Sequence, residues 1–122
     1  MTLNDYQQQA MDTCLPSSNN FSYMMLNLVG ELGEFAGKIA KAIRKENVII
    51  GLDPYDRRHT TMQVSDPDLM PELKKEAGDI LWQLSGLCTV MGWKLDDVAV
   101  MNLAKLADRK KRHVIDGNGD NR

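Results

Sequence analysis

The chain has few of the features that mark secreted, membrane-spanning or disulfide-rich proteins. It contains 2 cysteines in 122 residues, and so sparse a pair favours reduced thiols over a disulfide framework. No apolar run approaches the roughly 20 residues that a membrane helix needs. The polar, glutamine-containing first ten residues do not look like a secretory leader. We therefore expect a cytoplasmic protein without a membrane anchor.

The chain also has no excess of basic residues over acidic ones. The 15 basic and 17 acidic residues give a formal net charge of -2, whereas proteins that bind nucleic acid polymers normally carry a basic surface. The charge is unevenly distributed, because the last predicted helix is basic at positions 105, 109, 110, 111 and 112. The composition thus argues against general binding of DNA or RNA and leaves one locally basic helix.

Alternation of polar and apolar residues is almost absent, so the pattern predicts helices and not strands. Apolar spacings of three and four predict helices over about Asn4–Cys14, Phe21–Arg44, Pro71–Met91 and Asp96–His113. Asn20 is suited to cap the second helix, and Gly92 is suited to end the third. The 43% hydrophobic content is enough for one core. We therefore predict a single all-α domain over residues 1–122, resembling a four-helix bundle, with a flexible tail from about 115 to 122.

A long connection separates the second and third predicted helices. From Lys45 to Leu69 the helical pattern is interrupted by Gly51, Pro54 and Pro67. Loops of this length are uncommon in compact domains unless they are functional or partly structured. We expect this segment to be a lid, an interface arm or a short hairpin.

Two pairs of carboxylates recur at the same spacing. Glu31 and Glu34 lie in the second helix, and Glu76 and Asp79 lie in the third, so each pair occupies one helical face. At about 100° per residue, both pairs flank the apolar face of their helix at the same phase. Antiparallel packing would bring all four carboxylates together.

A cluster of four carboxylates repels itself unless a cation neutralises it. Magnesium suits such a site because it prefers oxygen ligands, whereas zinc does not, since no cysteine or histidine falls at ligand spacing with these acids. Glycine costs stability inside a helix, and we expect Gly33 and Gly78 to be present because they permit close helix approach. The alternative is that the acids are solvated, as in a non-enzymatic helical adaptor whose long connection contacts its partner.

Basic and polar residues follow one face of the fourth predicted helix. Asn102, Lys105 and Arg109 share that face, and guanidinium and ammonium groups bind phosphate oxygens. We predict a phosphate-facing row, the alternative being a solvated helix end stabilised by its dipole. Lys38 lies on the face of Glu31 and Glu34, where it would contact phosphate or pair with Glu34 at i, i+4.

The motifs Glu31-Leu-Gly-Glu34 and Glu76-Ala-Gly-Asp79 resemble the E-x-x-E and E-x-x-D signature of the MazG-like, all-α nucleoside triphosphate pyrophosphohydrolases. The resemblance extends from about Phe21 through Arg112 and into the tail, although the interval between the motifs is longer than usual. It implies magnesium ligands at Glu31, Glu34, Glu76 and Asp79, with manganese as a substitute. It also implies sugar and phosphate contacts at Asn102, Lys105 and Arg109, and a tail that closes over phosphate through Arg122.

The same resemblance implies a reaction and an assembly. The reaction is magnesium-dependent hydrolysis of ribo- or deoxyribonucleoside triphosphates to monophosphate and pyrophosphate, in the service of nucleotide-pool housekeeping, with the four acids as catalytic residues. The alternative substrate is a phosphoribosyl nucleotide, which related all-α enzymes hydrolyse. The assembly is a homodimer or a dimer of dimers, and Trp82, on the side of the third helix away from its core face, is expected to lie at an uncovered apolar surface.

Overall fold

The computed structural model describes residues 1–122 and contains four α-helices and one two-stranded sheet. The elements are α1 (Leu3–Met11), a short 3₁₀ turn (Pro16–Ser18), α2 (Phe21–Arg44), β1 (Val48–Leu52), β2 (Thr60–Val64), α3 (Leu69–Val90) and α4 (Leu95–Lys111). The four predicted helices are confirmed. The prediction of a purely all-α fold is wrong, because the connection between α2 and α3 forms two strands. None of the helices combines the length and apolar character that crossing a membrane requires.

The helix ends follow from local side-chain chemistry. Thr2 and Asp5 form a reciprocal capping box at the start of α1. Asn20 caps α2, its Oδ1 accepting a hydrogen bond of 2.8 Å from the Tyr23 backbone N–H. Gly92 follows α3 with a φ of 73°, a left-handed conformation that favours glycine. The predicted caps at Asn20 and Gly92 are therefore confirmed.

The connection between α2 and α3 is an antiparallel hairpin that contributes to the core. Val48 pairs with Val64 at its base, and Leu52 pairs with Thr60 near its tip. Val48 is buried with Ala42, Leu69 and Leu73, and the partly buried Phe35, Ile39 and Val64 surround this cluster. Of the three forms expected for this segment, the structure shows the short hairpin. It covers the end of the α2–α3 pair that lies away from α1.

Helices α2 and α3 are in tight contact at Gly86. A Cβ atom at this position would lie 2.3 Å from Sδ of Met24, and Met24 is itself fully buried. The expectation that Gly33 and Gly78 permit close helix approach is wrong, because a Cβ atom at either would meet nothing within 4 Å. Helix periodicity predicted which face of each helix is apolar, but it did not predict at which residue the two helices are in tight contact.

Helix α1 is joined to α3 and to the start of α4 by side-chain hydrogen bonds, among them one from the Asp96 N–H to Asn4 Oδ1. The buried Gln7 donates to Thr89 Oγ1 at 3.0 Å and to the Trp93 carbonyl at 2.9 Å, and it accepts from the Leu95 N–H. Trp82 Nε1 donates to the Ala10 carbonyl at 3.0 Å. Trp82 is therefore partly buried against α1, which corrects the expectation that it lies at an uncovered surface.

Candidate active site

Three of the four predicted acids converge where α2 faces α3. Glu31, Glu34 and Glu76 each offer a carboxylate oxygen that lies within 4.8 Å of the oxygens of the other two. Glu31 and Glu76 are partly buried, whereas Glu34 is exposed. The i, i+3 spacing places Glu31 and Glu34 on one face, and the packing of α2 on α3 supplies Glu76 from the other side.

Asp79 lies beside this group but outside its closest set, and it is exposed. Burial raises the pKa of the Glu31 carboxyl above its ordinary value, and the negative charges of Glu34 and Asp79 raise it further. Burial, with a smaller contribution from the Asp79 charge, also raises the pKa of the Tyr6 phenol. Tyr6 of α1 therefore belongs to the surroundings of the acids.

Two polar residues on α2 orient the cluster. Asn27 Nδ2 donates a hydrogen bond of 3.1 Å to Glu31 Oε1. Lys38 Nζ lies 3.4 Å from Glu76 Oε1 and 3.6 Å from Glu72 Oε2, so it pairs across the helices rather than with Glu34. The hydrogen bond that Lys38 donates to Glu76 raises the pKa of Lys38. Asn27 was not among the predicted site residues, although its position four residues before Glu31 is a signal that could have found it.

The donor set suits a hard divalent cation. The three convergent groups are all carboxylates, and Lys38 is the one cation paired with them, so negative charge is in excess. Magnesium binds oxygen at about 2.1 Å in octahedral geometry, which separates its oxygen ligands by about 3 to 4 Å. The three carboxylate oxygens, each within 4.8 Å of the other two, lie near this range, and the cluster contains no histidine or cysteine to favour zinc.

The basic row of α4 is engaged by the C-terminal tail. Lys105 Nζ lies 3.1 Å from Asp120 Oδ1, and Arg109 Nη2 lies 2.8 Å from the same oxygen. These contacts, led by the hydrogen bond from Arg109, lower the pKa of Asp120. The sequence predicted the two cations as a row but not the carboxylate that lies between them.

The remaining predicted contacts lie nearby. Asn102 is exposed on the same helix, and Arg122 turns back along the tail, donating to the carbonyls of Val114, Gly119 and Ile115. Arg112 pairs with Asp108 at 2.7 Å and donates to the Arg122 carbonyl. The tail is non-helical, as predicted, and it is held against α4.

Comparison with known proteins agrees with the two acidic motifs. The chain matches the model of the MazG nucleotide pyrophosphohydrolase domain over residues 19–114, a span that includes all four acids and the basic row. It is also similar to the Gene 37 protein of Mycobacterium phage L5, with 33% identity over 129 residues that cover 100% of each chain. No solved structure matches it. The chain therefore belongs to the MazG nucleotide pyrophosphohydrolase family.

Proposed function

We propose that this protein hydrolyses nucleoside triphosphates to nucleoside monophosphates and pyrophosphate with the help of magnesium, as part of nucleotide-pool housekeeping. The observation that carries the proposal is the convergence of Glu31, Glu34 and Glu76 within 4.8 Å in a chain of this family. A carboxylate cluster with so little internal neutralisation is unfavourable by itself and becomes favourable when a divalent cation binds.

The acids have distinct tasks in this proposal. The metal is held by four carboxylates, those of Glu31, Glu34, Glu76 and Asp79. Asn27 fixes the Glu31 carboxylate by a hydrogen bond, and Lys38 fixes the Glu76 carboxylate by an ion pair. Bound magnesium supplies positive charge to the phosphates and lowers the pKa of a water molecule. Glu34 is the exposed member of the close set, which suits it to orient that water or accept its proton.

The cations of α4 serve the phosphates. Lys105 and Arg109 present an ammonium group and a planar guanidinium that match phosphate oxygens, and Asn102 lies on the same helix face. Within one chain their ion-pair partner is Asp120 and not the acid cluster. We therefore assign them to the outer phosphates or to the site of a neighbouring subunit.

A homodimer or a dimer of dimers is part of the proposal. A compact chain of 13.7 kDa exposes about 6,600 Å², whereas this chain exposes 9162 Å², and only 14 of its 122 residues are buried. Val100 and Leu103 lie on the face of α4 opposite Lys105 and Arg109, and both are well exposed. Exposed apolar surface of this extent is typical of a chain that associates with another copy.

The experiment that tests the reaction measures pyrophosphate release from a panel of ribo- and deoxyribonucleoside triphosphates, with magnesium or with EDTA. The wild type is compared with Glu76→Gln, which removes one charge from the cluster, and with Glu46→Gln, the same change at an exposed site outside it. We expect release that needs magnesium and falls about 100-fold or more in Glu76→Gln, with Glu46→Gln unchanged.

Two results would contradict the proposed reaction. Release from a phosphoribosyl nucleotide alone would assign the chemistry to that substrate class. No release from any substrate by folded protein, together with no binding of manganese in a titration, would favour a non-enzymatic adaptor.

A further inference from the structure

The C-terminal tail places a carboxylate on the two cations of α4. One oxygen of Asp120 accepts from both Lys105, at 3.1 Å, and Arg109, at 2.8 Å. Arg109 also donates to the Gly119 carbonyl at 3.3 Å. The tail therefore occupies the donors that a phosphate group would use.

Arg109 and Asp120 differ sharply in exposure. The Arg109 side chain is 6% exposed, whereas that of Asp120 is 81% exposed. Arg109 Nε is buried without a hydrogen-bond partner, and an unpaired buried donor costs free energy. The Arg109 guanidinium is therefore held in place with one hydrogen-bond donor unpaired, whereas the Asp120 carboxylate can move away into solvent.

The tail presents Asp120 through a built turn. Arg122 donates to the carbonyls of Val114, Ile115 and Gly119, and Gly119 has a φ of 76° that favours glycine. A Cβ atom at Gly117 would lie 2.5 Å from Cδ of Arg122, so the turn depends on glycine there too. Asp120 is held at the cations by these contacts in addition to its charge.

We propose that Asp120 is a built-in competitor of the substrate, occupying a phosphate position between Lys105 and Arg109 until the triphosphate displaces it. The inference rests on the proposed function, because it takes a nucleotide phosphate as the displacing anion. A phosphate group carries more negative charge than a carboxylate and has three oxygens, so it can pair with both cations at once through separate oxygens. A tethered group competes at an effective concentration of roughly millimolar.

The test measures binding of inorganic tripolyphosphate to the full chain by calorimetry, in EDTA so that the acid cluster takes no part. Asp120→Asn is compared with Asp116→Asn, a change of the same charge in the same tail at an acid that forms no ion pair. We expect Asp120→Asn to bind about 2- to 10-fold more tightly than Asp116→Asn, the range set by losing two ion pairs whose shared carboxylate is exposed to solvent. Adding Lys105→Gln to Asp120→Asn should abolish the gain.

Equal or weaker binding by Asp120→Asn would overturn the proposal, because it would mean that the carboxylate holds the cations in position or has no effect on them. If that variant melts early, Arg122→Gln replaces it, since it releases the turn while keeping Asp120. Loss of a positive charge weakens anion binding by itself, so Arg122→Gln is compared with Lys110→Gln, which removes the same charge from the end of α4 without touching the turn. Tighter binding by Arg122→Gln than by Lys110→Gln supports displacement, and equal or weaker binding opposes it.

The two proposals fail separately. Hydrolysis by the wild type without tighter binding in Asp120→Asn removes the competitor role alone. Tighter binding in a protein that hydrolyses no nucleotide removes the proposed reaction and keeps the tail as a gate on an anion site.

Discussion

Helices α3 and α4 are comparable in length but differ in how the chain uses them. Six residues of α3 are buried, against two of α4. Helix α3 faces α2 along most of its length and brings Glu76 to the acids, whereas α4 leaves Val100 and Leu103 to solvent. The difference indicates that the acid cluster between α2 and α3 is assembled within one chain, while α4 has an apolar face that no other element of the chain covers.

The two helices also differ in whether their charged groups lie beside like or opposite charges. The acids between α2 and α3 repel one another, and this repulsion by Glu34 and Asp79 adds to the effect of burial in raising the pKa of Glu31. The cations of α4 are paired with Asp120. A metal ion would therefore relieve an existing repulsion, whereas a phosphate has to replace an existing contact.

The largest expected effect concerns the apolar face of α4. Leu103→Lys should dissociate the proposed oligomer, since a charge buried without a partner in an interface costs several kcal/mol, roughly the size of a binding hot spot. The measurement is sedimentation velocity over a range of protein concentrations. Leu15→Lys is the matched control, because Leu15 is 66% exposed and Leu103 67% exposed.

A wild type that sediments as a monomer at all concentrations would contradict the idea that a second copy covers the apolar face of α4. So would a Leu103→Lys variant that assembles as the control does. Either result would leave the exposed face of α4 without an explanation in assembly.

A smaller effect is expected where α2 meets α3. Gly86→Ala should be less stable than Gly78→Ala by about 1 to 3 kcal/mol, the usual cost of overpacking. Both changes gain the same helix propensity, so their difference isolates the contact of the new methyl group with the buried Met24. Urea unfolding of both variants gives the number, and equal stabilities would show that Met24 moves aside without cost.

The glycines also show what the sequence could not predict about the fold. Helix boundaries were predicted well for α2 because Asn20 and the apolar period are local features, and Phe21–Arg44 matches the predicted range. The expectation for Gly33 and Gly78 was wrong and the tight contact at Gly86 was not predicted, because periodicity gives the direction of a helix face but not which residues along it meet the other helix. The hairpin stayed one of three alternatives, since its strands are short and lack a regular alternation.

The candidate site also has a part that could be predicted from the sequence and a part that could not. The pairs Glu31–Glu34 and Glu76–Asp79 could be predicted because i, i+3 spacing fixes a shared face. The contact of Lys38 with Glu72 and Glu76 depends on how two helices are aligned along their axes, which no local pattern gives. The pairing of Asp120 with α4 depends on the path of an irregular tail. From the sequence, the glycine content of the tail predicted only that it is not helical.

The smallest expected effect tests the repulsion among the acids. The raised pKa of Glu31, caused first by burial and then by Glu34 and Asp79, means that the folded state binds this proton more tightly than the unfolded state. Its contribution to stability is therefore complete below the ordinary value of 4.5 and is lost as the pH rises through the raised value. Glu31→Gln removes that loss, so in EDTA at pH 7 it should be more stable than the wild type by about 0.5 kcal/mol, a size typical of solvent-screened charges. Urea unfolding should show the advantage vanishing near pH 4, and an advantage that persists there would assign it to packing and not to charge.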